Sequence, residues 1–133
     1  MCKRLIIAGR GVRIANAIEE LRQFALWTNI PVATTFLGKD TYHKSVGCIG
    51  IKGEANRYLE EADELIIIGA SIPIAQLGYD YKRLEKKHII YVNIEPPHTL
   101  ISAEFIKSDA KRFLRRTIEA FKVYTRAVEQ ANG

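Results

Sequence analysis

The stretch that decides the fold is Glu64–Gly78, ELIIIGASIPIAQLG. Four large apolar residues in succession, Leu65 to Ile68, lead into Gly69-Ala70-Ser71, where the backbone carries little side chain. A short unbroken apolar run, rich in β-branched residues and bounded by polar residues and glycine, is the pattern of a parallel strand buried on both faces. In open α/β sheets ligands gather beyond the carboxyl ends of such strands, near the point where the strand order reverses. Gly69 and its successors are therefore expected to face a site. Ile72-Pro73 breaks regular structure, and Gln76 to Lys87 reads as a loop with a turn or two of helix.

Upstream, Arg4 to Ala8 (RLIIA) reads as a first strand ended by Gly9-Arg10-Gly11. Apolar residues then recur at Ile14, Ala17/Ile18, Leu21 and Phe24/Ala25, the period of an amphipathic helix, which Asn29 and Pro31 close. Pro31 to Thr34 (PVAT) is a second short strand, which completes a βαβ unit with a right-handed crossover. Thr35 to Gly53 is looser and glycine-rich, with Val46 to Ile49 a minor strand. Gly53 to Ala62 carries Ala55, Leu59 and Ala62 at helical spacing. Downstream, His88 to Asn93 (HIIYVN) is a strand stopped by Glu95-Pro96-Pro97, and Phe105 to Lys107 is the last. Asp109 caps a long closing helix with Phe113/Leu114, Ile118, Phe121, Tyr124/Thr125 and Val128 on one face. The alternation predicts a single α/β domain over residues 1–133, a three-layer Rossmann-like fold with a parallel sheet of five or six strands.

Composition narrows the function classes. With 47% hydrophobic and 26% charged residues among 133, the chain is ordinary for a soluble globular domain. No apolar run approaches the ~18 residues of a membrane span. The opening MCKRLIIAGRG is too short for a signal peptide, so a cytoplasmic location with no membrane partner is expected. Cys2 and Cys48 read as reduced thiols, and His43, His88 and His98 lack metal-ligand spacing. The net charge is +5, and Lys107 to Arg126 alone holds seven basic residues against two acidic ones, which matches the whole surplus. Charge confined to one helix suits a solvated face, or one meeting an acidic partner, better than nucleic acid.

Gly9-Arg10-Gly11-Val12-Arg13-Ile14 sits where a dinucleotide fingerprint would, but Ile14 occupies its third glycine position. A tight turn remains, either with N–H groups that meet an anion or without a ligand. There is no GxSxG, no P-loop lysine and no cysteine with an evident histidine partner. Glu60/Glu61 and Asp63/Glu64 read as solvated charge, Asp80 as a surface residue, and Tyr79, Tyr81 and Tyr91 as packing residues. Glu95, just past a strand, is placed to touch a ligand.

Several segments together resemble a known family. IIAGRGVR, PVATTFLGKD, GCIGIKGEAN, ADELIIIGAS, IIYVNIEPP and SDAKRFL follow one another as in the central domain of thiamine-diphosphate-dependent enzymes, nearest the acetolactate synthase group. The likeness covers about Lys3 to Phe121, and LGYDYKRL resembles the acetolactate-synthase-like enzymes of sugar-related or unassigned pathways. It implies a fold of the DHS-like NAD/FAD-binding type. In the parent enzyme this domain would lie between a pyrimidine-binding domain, which carries the catalytic glutamate, and a pyrophosphate-binding domain. The GDG…N motif of the latter holds magnesium and thiamine diphosphate. The chain would then be an excised piece of a lyase or transferase acting on a 2-oxo acid or related substrate. By itself it would neither bind thiamine diphosphate nor catalyse, and no catalytic or metal-binding residue is expected in it.

Flavin-containing relatives hold FAD across the carboxyl ends of the strands; others bind ADP or nothing. Carried over by position, the ligand segments are Gly9, Arg10 and Gly11; Thr35, Phe36 and Leu37; Gly50, Lys52 and Gly53; Gly69, Ala70 and Ser71 on to Gln76; Asn93, Ile94 and Glu95; and Ser108 with Asp109. Two departures matter. The family's GMHG is Gly50-Ile51-Lys52-Gly53 here, and its GARFDDR is Gly69-Ala70-Ser71-Ile72-Pro73-Ile74-Ala75, without either arginine. An arginine–phosphate hydrogen bond contributes ~1.5–3 kcal/mol. Losing two weakens binding roughly 100-fold or more, at ~1.4 kcal/mol per decade. The resemblance thus implies a scaffold with a degraded nucleotide site. The alternatives are a stand-alone module for FAD, ADP or NAD, and an interaction subunit that docks through its basic C-terminal helix.

Overall fold

The apolar run of Glu64–Ile68 is the middle strand of a five-stranded sheet in the computed structural model, which describes residues 3–50, 53–70, 84, 86–96 and 103–132. The strands are β1 (Arg4–Ala8), β2 (Val32–Thr34), β3 (Glu64–Ile68), β4 (His88–Asn93) and β5 (Glu104–Lys107). They pair in parallel in the order β2-β1-β3-β4-β5. The helices are α1 (Arg10–Ile14), α2 (Ile18–Thr28), α3 (Asn56–Glu61) and α4 (Ala110–Asn132). The expected α/β class and parallel sheet are what the structure shows.

Alternation along the strands divides the core between two faces. Leu5, Ile7, Leu65, Ile67, Ile89 and Tyr91 pack on one side with Leu59 of α3 and Leu84. Ile6, Ala8, Ile66, Ile68 and Val92 pack on the other with Leu21 and Phe24 of α2 and Leu114 and Ile118 of α4. Both faces of β3 are covered, which is why its sequence is an unbroken apolar run rather than an alternating one.

Three details correct the sequence reading. The helix expected to run through Ile14 and Leu21 is two helices. Asn16 adopts a left-handed φ of 56°, its N–H bonds to the Arg13 carbonyl and the Ala17 N–H to that of Val12. This paired closure ends α1 after five residues, with Val12 and Ala17 buried together behind it. Ile14 and Ile18 are therefore exposed. Val46 to Ile49 runs along β2 but makes only an isolated bridge, Thr34 with Cys48, because Gly47 sits at φ +119° and breaks the ladder. Most visibly, α4 buries its apolar stripe only as far as Ile118, and Phe121, Tyr124 and Val128 are exposed. The reason is length. A 23-residue helix spans about 34 Å, whereas the longest strand among the described residues, six residues, spans roughly 20 Å.

The predicted ends held elsewhere. Asn29 closes α2 at φ 58°, and Asp109 caps α4 through Oδ1, which accepts the Arg112 N–H at 2.9 Å. Ser71, Ile72-Pro73, Tyr79, Asp80, Tyr81 and all of Gln76–Lys87 except residues 84, 86 and 87 lie outside the described residues, as do Cys2, Lys52, Pro97 and His98. No helix among the described residues is long and apolar enough to cross a membrane.

At the amino-terminal edge of the sheet, His88 bridges three strands. Its Nδ1 lies 2.8 Å from Glu64 and its Nε2 3.4 Å from Glu104, while Arg4 also pairs with Glu64 at 3.1 Å. The hydrogen bond to Glu64, with the nearby Glu104 charge, raises the His88 pKa above the ordinary histidine value. A raised folded-state pKa contributes stability that is complete below about pH 6.5 and is lost as pH climbs through the raised value. The expected result is a melting temperature that falls as pH rises above about 6.5, with a smaller fall in His88→Gln. Equal falls in both proteins would contradict the bridge.

Candidate functional site

The strand order reverses around β1, which lies between β2 and β3, so the crevice beyond the carboxyl ends of β1 and β3 is the place to look for a site. A cavity of about 1050 Å³ opens there, at the upper end of the usual range of small-molecule pockets, roughly 300–1,000 Å³. Two locked turns meet beneath it, and Gly11, Gly69 and Ala70 of these turns reach its surface. The Gly9 N–H bonds to the Ile68 carbonyl, Gly11 to Gly69 and Val12 to Gly9. Gly69 has φ +63°, and a Cβ on Gly11 would lie 2.7 Å from the Gly69 Cα. A Cβ on Gly9 would lie 2.5 Å from Ala70. The glycines that resemble half a nucleotide fingerprint thus let two backbones touch, and the amides at Gly9, Gly11 and Val12 are already bonded to carbonyls.

Phe36 and Leu37 come from the segment after β2, which is closed on itself. The Thr35 N–H bonds to the Ala8 carbonyl, the Gly38 N–H to Thr35 Oγ1, and the hydroxyl of buried Thr41 to the Gly38 carbonyl at 2.6 Å. Arg13 ties the same segment to α1 through Asp40 at 2.5 Å. With Ile14 and Ile94, Phe36 and Leu37 form an apolar rim, each residue between 62% and 70% exposed.

Gly50 enters the wall with both peptide groups taken, its N–H by Asn56 Oδ1 at 3.3 Å and its carbonyl by Asn56 Nδ2 at 2.5 Å. Asn93 is a bracket too. Its Oδ1 accepts the Ile94 N–H at 2.8 Å, and its Nδ2 donates to Tyr91 Oη at 3.1 Å and to the Ala70 carbonyl at 3.5 Å.

The structure therefore brings together at one cavity Arg10, Gly11, Thr35, Phe36, Leu37, Gly50, Gly69, Ala70, Asn93, Ile94, Glu95, Ser108 and Asp109. Gly9, which is buried, and Gly53, which is half-buried, do not line it. Lys52 and Ser71 fall outside the described residues. The sequence reading missed Ile14, Ala15, Ile49, Tyr91, Pro96 and Ala110 in the lining. Tyr91 was within reach, since a residue two before Asn93 on a strand shares its face. Asn56 gives no such signal, because only the folded loop brings it to Gly50.

Among the described lining residues Arg10 is the one cation; the carboxylates are Glu95 and Asp109, the latter already spent as a helix cap. Arg10 makes no ion pair among the described residues.

A three-layer Rossmann-like domain with a cavity at its switch point is the class that fold and site define. Residues 2–117 match the family described as "Thiamine pyrophosphate enzyme, central domain". The chain belongs to that family. It is 32% identical over 129 residues to the acetolactate synthase large subunit of Buchnera aphidicola subsp. Schizaphis graminum, covering 90% of this chain and 23% of that one. It is 34% identical over 125 residues to a protein named as the acetolactate synthase large subunit of Methanocaldococcus jannaschii on a provisional basis, covering 87% and 21%. A 3D-(3,5/4)-trihydroxycyclohexane-1,2-dione hydrolase of Bacillus thuringiensis is 34% identical over 131 residues, covering 91% and 20%. Among solved structures, a candidate thiamin diphosphate-dependent enzyme isolated from Mycobacterium smegmatis superposes with a TM-score of 0.62 at 17% identity, covering 88% of this chain and 24% of that one; at that identity it shows the fold alone. The chain spans about a fifth of the length of the curated relatives it matches.

Proposed function

We propose that this domain is the non-catalytic scaffold of an acetolactate-synthase-like, thiamine-diphosphate-dependent enzyme of the cytoplasm, and that its switch-point cavity is a vestigial nucleotide site. The observation that supports this reading is the pair of turns at the cavity: the Gly9 and Gly11 amides donate to the Ile68 and Gly69 carbonyls and so join the ends of β1 and β3. The sheet, with β1, β2 and β3 buried on both faces, is a rigid block suited to holding two cofactor-binding domains at a fixed separation. In such a parent, the pyrimidine- and pyrophosphate-binding domains are the partners that supply the catalytic glutamate, magnesium and thiamine diphosphate. The parent would be a lyase or transferase for a 2-oxo acid or a related substrate.

The test is calorimetric titration of the 133-residue chain with FAD, ADP and NAD. The expected result is no saturable heat for any of them up to about 1 mM, equivalent to binding weaker than about −4 kcal/mol. Saturable FAD or ADP binding well below that concentration would overturn the vestigial-site reading in favour of a working nucleotide module. In parallel, the chain is expected to consume no pyruvate with thiamine diphosphate and magnesium, and measurable turnover would refute its non-catalytic role.

A further inference from the structure

We draw no further inference here: the strongest candidate, the exposed apolar stripe of Phe121, Tyr124 and Val128 on the distal half of α4 with Trp27 of α2 against Phe121, is an unpartnered face, and nothing in the structure shows what covers it.

Discussion

Gly69→Ala is expected to destabilise the domain by about 2–4 kcal/mol. Two effects combine at this residue. Its φ of +63° lies in the left-handed region, where a side chain costs about 1–2 kcal/mol. The added Cβ would also stand 2.7 Å from the Val12 nitrogen and 2.9 Å from Gly11, and overpacking against backbone costs about 1–3 kcal/mol more. For a domain of this size that is a fall in melting temperature of roughly 10 °C. Gly11→Ala fills the same gap from the other side, so the double variant should cost less than the sum of the two, since both fill a single shared contact. A Gly69→Ala protein that melts within about 2 °C of the parent would show that the interlock is not what holds the switch point together. Glycines kept for a ligand would behave differently, losing affinity while sparing stability.

Leu114→Ala is expected to cost about 2–5 kcal/mol, whereas Phe121→Ala, two turns further along the same helix stripe, should cost only about 1 kcal/mol. Leu114 is fully buried against the face formed by Ile66, Ile68 and Val92, so its removal leaves a cavity in a layer with no slack. Phe121 is 38% exposed, and its main structural partner is Trp27, an edge-on aromatic pair of the kind that contributes about 0.5–1.5 kcal/mol. Urea denaturation separates the two, with a shifted midpoint and an unchanged slope in each case. Equal costs would mean that the distal half of α4 is packed on the domain rather than extended beyond it.

The parts of the fold that were legible in the sequence are those whose signal is local. β3 and β4 are marked by apolar runs bounded by glycine, proline and charge, and α4 by its period and the Asp109 cap. The site was legible as positions along the chain, because strand ends in such a sheet converge whatever their side chains. Its chemistry was not. Whether Gly9, Gly11 and Gly69 serve a ligand or each other depends on distances between segments some sixty residues apart.

By itself, the sequence determined the layer architecture, the parallel sheet and the family, since all three follow from periodicity and the order of motifs. Only the tertiary structure decided three other things: that the turn amides are spent on neighbouring carbonyls, that Asn56 and Asn93 act as brackets, and that α4 outruns the sheet. Each is a matter of where a polar group or an apolar stripe finds its partner across space. A hydrogen bond or a buried face is satisfied by whatever the fold brings within reach, and one-dimensional spacing does not carry that information.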